Sequence, residues 1–196
     1  MDTLVLTVIG DDRPGLVSAL SARLNAQGAL WQRSQMSRLA GKFAGIVEVV
    51  VPAGKVDHLV AGLESLAEQG LAVTIARTST PPETPTHRLS LELVGSDRPG
   101  IVAEISALLS ERHISIEELE TSVRHAPMAG GMLFEAHAVL ATPASADEAE
   151  LRAALEAVAD ELMVDISLDE APGAALSRRA EGFSFEWFVR GPRCPT

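Results

Sequence analysis

Residues 4–24 read LVLTVIGDDRPGLVSALSARL, and residues 89–109 read LSLELVGSDRPGIVAEISALL. The two stretches align at a constant offset of 85, pairing Gly10 with Gly95, Asp12 with Asp97, Arg13 with Arg98, Pro14 with Pro99 and Gly15 with Gly100. The apolar positions that follow keep the same step: Leu16 with Ile101, Val17 with Val102, Leu20 with Ile105, Leu24 with Leu109. Farther on, Phe43 and Pro52 match Phe134 and Pro143 at an offset of 91, so the second copy carries six extra residues around 124–131. A period this long is no solenoid repeat. It marks two small domains of one design.

Each copy reads as β-α-β-β-α-β. Residues 3–9 are apolar and rich in β-formers, and Gly10-Asp11-Asp12 breaks the strand. Pro14 suits the first turn of a helix, where its missing N–H costs nothing. Leu16, Val17, Leu20 and Leu24 are expected on one helical face, with Gly28 as C-cap. Strands are expected over 30–39, 43–51 and 71–76, with a turn at Gly41-Lys42. A second helical stripe runs through Val56, Leu59, Val60, Leu63 and Leu66. The second copy predicts strands over 88–94, 115–123, 132–141 and 163–168, and helices over 99–112 and 147–161. The expected domains are residues 1–78 and 87–170, joined by a Pro- and Thr-rich linker over 79–86 and followed by a tail over 171–196. The order implies an α+β class: two ferredoxin-like split βαβ domains, each an antiparallel sheet with both helices on one face. The other face is left uncovered and needs a partner, either the other copy or another subunit, and the latter makes the chain a candidate homo-oligomer, a dimer in the simplest case.

Composition sets the outer limits. The chain has 196 residues, 46% of them hydrophobic, enough for a buried core in one large domain or two small ones. Its single cysteine excludes an internal disulfide and any multi-cysteine metal centre. A net charge of −11 opposes direct nucleic-acid binding and attraction to an anionic membrane. The N-terminus has an acid where a signal peptide has bases, and no apolar run approaches the ~20 residues that span a bilayer. A cytoplasmic location is expected.

The chemistry concentrates in the two elbows, Gly-Asp-Asp-Arg-Pro-Gly and Gly-Ser-Asp-Arg-Pro-Gly. Both join a first strand to a first helix. Free backbone N–H groups and the positive end of a helix dipole point outward there, a setting that holds a carboxylate. Gly15 and Gly100 remove bulk from the approach. Asp12 or Asp97 offers a counter-charge to an ammonium group, so a small amino acid would satisfy both poles. An Asp before a Pro is equally an ordinary helix cap, and the spacing leaves cap and binding site open.

The βαββαβ order with Asp-Arg-Pro-Gly-[Leu/Ile]-Val after the first strand resembles the ACT domain, a small regulatory module. Two copies without another domain resemble, more narrowly, the glycine cleavage system transcriptional repressor group. The resemblance covers about residues 3–169. It implies binding of a small amino acid, of the glycine or serine class, where ACT domains meet. By position it selects Asp11, Asp12, Arg13, Pro14, Gly15 and Leu16, and Ser96, Asp97, Arg98, Pro99, Gly100 and Ile101. It further implies control of transcription through a partner protein; with no catalytic or metal-ligating constellation in the sequence, no enzymatic reaction, metal or cofactor is expected. Ser96 departs from Asp11, so the elbows differ by one charge. His113 stands at the position of Gly28, and the second hairpin is lengthened by a segment with Pro127 and Gly130-Gly131.

Other residues carry less. His58, His87, His113, His125 and His137 form no i, i+4 pair and read as scattered surface or core histidines; a facing of His125 and His137 across the insertion is the alternative. Cys194 has no positioned base. The chain lacks a nucleophile elbow of the Gly-x-Ser-x-Gly kind, a phosphate loop and a dinucleotide fingerprint. The acidic runs at 117–120 and 147–150 suit a solvated strand edge and a helix start. The tail holds Phe183, Phe185, Trp187 and Phe188, four of the seven aromatics in the chain, and Arg178, Arg179, Arg190 and Arg193 against Glu181 and Glu186. Its aromatics suit packing on a sheet face or a partner, and the competing reading is an unselected extension that remains mobile. The competing functional class is a ligand-independent interaction module docking through its sheet faces. A detached regulatory part of a formyltetrahydrofolate deformylase-like enzyme is the third.

Overall fold

The structure is a computed structural model that describes residues 1–78, 86–126, 131–144 and 146–171. Of the expected linker over 79–86, residues 79–85 lie outside the described residues and Thr86 instead opens a strand; the hairpin tip with Pro127 and Gly130 and the tail beyond Ala171, with Cys194, also lie outside them. The chain divides into two compact units, Met1–Pro82 and Glu83–Thr196. The first runs β1 (Asp2–Asp11), α1 (Leu16–Ala26), β2 (Leu30–Leu39), β3 (Lys42–Val51), α2 (Val56–Glu64), a single 3-10 turn (Ala67–Gln69) and β4 (Leu71–Arg77). The second repeats it as β5 (Thr86–Ser96), α3 (Ile101–Glu111), β6 (Ser115–His125), β7 (Met132–Pro143), α4 (Glu148–Leu162) and β8 (Val164–Glu170). The sheet orders are β2-β3-β1-β4 and β6-β7-β5-β8, with every pairing antiparallel. This is the α+β, ferredoxin-like architecture the repeat implies.

Alternation positions each core. Leu4, Leu6 and Val8 of β1 and Val47, Val49 and Val51 of β3 turn to one face and are almost fully buried against Leu20 and Leu24 of α1 and Leu59 and Leu63 of α2. In the second unit Leu89, Leu91 and Leu93 meet Ile105 and Leu109 of α3 and Leu151 and Leu155 of α4. Each such leucine contributes about 2 kcal/mol on leaving water. The expected stripe is one residue too wide: Val17 and Val102 remain 45% and 43% exposed. They follow the first buried residue by one position, a 100° rotation that carries them off the core face.

Three boundaries also shift. Pro14 lies in the turn before α1, because Gly15 adopts φ 97° and interrupts the helical backbone between them. The first hairpin turns at Ala40-Gly41, whose φ values of 49° and 77° suit a two-residue hairpin loop, so Lys42 belongs to β3. In register, Leu39 pairs with Lys42 while Arg124 pairs with Leu133, which locates the six additional residues at this hairpin: His125 and Met132 extend the two strands by one pair, and the other four lie between them. One irregularity is duplicated: β2 bulges between Trp31 and Arg33, and β6 between Ile116 and Glu118.

The helix ends are duplicated too. Gly28 N–H donates to Asn25 O at 2.9 Å and Ala29 N–H to Leu24 O at 3.0 Å, the paired bonds that close a helix through a left-handed residue. His113 and Ile114 make the same two bonds, to Ser110 and Leu109, with His113 at φ 57°. Asp147 caps α4, its Oδ1 accepting from the amides of Ala149 and Glu150.

Candidate functional site

Each elbow follows from its flanking pairings. In the first, Gly10 and Asp11 are the last residues of β1, opposite Phe43 and Lys42. The Asp12 amide donates to Gly41 O at 2.9 Å, closing the strand end onto the hairpin. Arg13 and Pro14 then turn the chain, and Gly15 opens α1 in a left-handed conformation that other residues adopt only at a cost. In the second, the Asp97 amide donates to Met132 O at 2.9 Å, and Gly100 opens α3 at φ 103°. The fold reproduces the elbow twice in backbone detail.

Neither aspartate is a helix cap. Among the described residues no side chain caps α1 or α3. The first amides to bond back are those of Ala19, to Gly15 O at 2.8 Å, and Glu104, to Gly100 O at 2.9 Å. The amides of 16–18 and 101–103 therefore lead each helix with its positive dipole end. A side chain added at Gly15 would meet nothing within 4 Å, so the approach to α1 is open.

The elbows differ in charge. In the first, Lys42 Nζ bonds Asp11 Oδ1, and Arg38 donates to Asp12 Oδ2 at 3.3 Å. The hydrogen bond from Lys42, aided by its charge, holds the Asp11 carboxyl below the usual carboxylate range. The Arg13 guanidinium lies 3.5 Å from where a side chain at Gly70 would begin. In the second elbow the positions of Arg38 and Lys42 are Val123 and Leu133, and Ser96 replaces Asp11. Glu104, at the position of Ala19, places Oε1 3.2 Å from where a Gly100 side chain would begin. The second helix start thus has a carboxylate of its own beside it. Arg98 Nε is buried without a hydrogen-bond partner among the described residues, unlike the exposed Arg13.

Sequence reasoning named the elbow but missed what frames it: Arg38, Gly41 and Lys42 across the hairpin, Gly70 beside Arg13, and Glu104 over Gly100. The two-residue turn places Lys42 opposite Leu39, but the β1–β3 pairing that brings it to Asp11 joins strands separated by α1 and β2 and has no local signal. The facing of His125 and His137 across the insertion does not occur. His125 pairs with Met132 and His137 with Glu120, five residues apart along β6 or about 17 Å. Between α3 and its sheet lies an apolar cleft of about 30 Å³, bordered by Ile105, Ile116, Leu119 and Ala138, where the first copy has Trp31 in place of Ile116. It has room for one water-sized group and excludes a whole amino acid.

The model of the ACT domain matches residues 2–76 and 87–169. The glycine cleavage system transcriptional repressor of Escherichia coli (strain K12) is 25% identical over 168 residues, covering 85% of this chain and 88% of that protein. A crystal structure of an unknown protein from Galdieria sulphuraria superposes with a TM-score of 0.78 at 34% identity, over 87% of this chain and 99% of the other. A solved structure provisionally named for the same repressor has a TM-score of 0.65 at 18% identity, over 86% of this chain and 96% of its own, a likeness of fold alone. With both repeats matched in full, the chain belongs to the ACT domain family, and it carries two such domains in tandem.

Proposed function

We propose that this protein is a non-enzymatic regulator that senses a small amino acid, of the glycine or serine class, and transmits its occupancy to a transcription regulator or other partner protein. The observation that carries the reading is the pair of uncapped helix starts at Gly15 and Gly100, each set beside an acidic residue in the same structural slot. The ligand carboxylate takes the leading amides, and its ammonium takes an aspartate. The first elbow is the better carboxylate site, because Arg38 and Lys42 offset Asp12 and Asp11 and no glutamate leans over Gly15. The relationship to the glycine cleavage system repressor of Escherichia coli supports a role in transcription control. The acidic chain favours acting through a protein over touching DNA. Contacts at the meeting points of ACT domains in an oligomer complete the site.

Calorimetric titration of the full chain with glycine, serine, alanine and threonine tests this. Saturable heat with one or two of them is expected, reduced by Asp12→Ala. The absence of heat and of thermal shift with all four overturns amino-acid sensing. That result would favour the second reading, a ligand-free docking module, for which the specific observation is the uncovered sheet face of each unit, with Ile9 and Ile46 about half exposed on the first.

A further inference from the structure

The two open sheet faces are built on the same twelve positions and have diverged. In the first sheet, three rows across the strands read Arg33, Glu48, Val5, Ala76; Gln35, Ile46, Thr7, Thr74; and Ser37, Ala44, Ile9, Ala72. Their charges balance, with Arg33 bonded to Glu48. In the second sheet the same rows read Glu118, Val139, Ser90, Asp169; Glu120, His137, Glu92, Ser167; and Ser122, Glu135, Val94, Asp165. Six are acids and none is Lys or Arg. Arg124, from the next row, reaches Glu135, and Arg88 reaches Glu118 at 3.9 Å. Glu92, Glu120, Asp165 and Asp169 are exposed. Clustered like charge opposes folding, and a requirement of the shared fold would have produced it on both sheets.

We propose that the acidic face of the second sheet is the docking surface for the chain's own C-terminal segment, residues 172–196. That segment is basic within an acidic protein, with four arginines against two glutamates, and it is the densest in aromatics. It starts one residue beyond Ala171, whose amide donates to Arg88 O at 2.9 Å at the margin of this sheet. A random-coil length of 25 residues is about 25–30 Å, and four strands extend about 15–20 Å, so the number of residues suffices to reach across the face. Tethering places the segment at an effective concentration of about millimolar, ahead of any free basic partner. The arginines meet the acids, and Phe and Trp rings cover Val94 and Val139.

Cys194, the single cysteine, permits the test in the full chain. With a nitroxide on Cys194, amide peaks of Glu92, His137 and Ser167 are expected to be lost at low salt. They should return near 1 M salt, where screening shortens to about 3 Å. They should also return in the triple variant Glu92→Gln, Glu120→Gln, Asp165→Asn. Peaks unaffected or broadened evenly over both units overturn the proposal. So does broadening that appears only when spin-labelled chains are mixed with separate isotope-labelled chains, which assigns the face to a second copy. Broadening that survives the triple variant overturns the electrostatic basis.

Discussion

Gly10 and Gly70 touch backbone to backbone: a side chain added at Gly10 would start 2.5 Å from the Gly70 carbonyl oxygen. Gly70, at φ 71°, in turn lies under the Arg13 guanidinium. The first elbow is therefore held on one side by the end of the 3-10 turn and on the other by the hairpin at Gly41. Gly10→Ala must push β4 away from β1, and a loss of about 1–3 kcal/mol in urea unfolding is expected. The same variant should weaken any response to amino acids, because Arg13 rests on the displaced residue.

Met163 occupies, at φ 53° and 77% exposed, the place that Gly70 holds in the first unit. A residue with a side chain is disfavoured there by about 1–2 kcal/mol, partly offset by the greater chain entropy of glycine. Met163→Gly is expected to raise stability by up to about 1 kcal/mol in chemical denaturation, with ligand response unchanged.

The legibility of this chain follows from its duplication. The repeated motif and the alternation of β1 against β5 were enough to read the order of elements, and the buried leucines fall where the periodicity places them. The chemistry of the elbows was legible only by residue type. That Asp12 turns to Arg38 instead of capping α1 depends on a β2–β3 register set 26 residues later, and the intrusion of Glu104 depends on its rotamer. Pro14 falls outside the helix because the left-handed Gly15 resets where the helix begins, and Val17 falls off the core face because it follows Leu16 by one position. The divergence of the open faces appears only when cross-strand rows are assembled, since its acids are scattered over four strands.

Acid should weaken both ion-paired strand ends. The bond from Lys42 to Asp11, and that from Arg124 to Glu135, lower the two carboxyl pKa values in the folded state. A lowered folded pKa gives stability that is present above the unfolded value and lost as pH falls through the folded one. Stability should therefore fall with pH below the usual carboxylate range. Arg124→Ala should flatten that fall, as read by urea midpoints at a series of pH values. The effect is modest, since both pairs are exposed to solvent.

Amide chemical shifts recorded while glycine or serine is added to the isotope-labelled full chain test the central claim most directly. Saturable displacement centred on Leu16, Val17 and Ser18, with smaller displacement at Ile101, Val102 and Ala103, is the expected result. Displacement confined to the open sheet faces or spread without a centre, or spectra unchanged at saturating ligand, would contradict the assignment of the elbows as the amino-acid site.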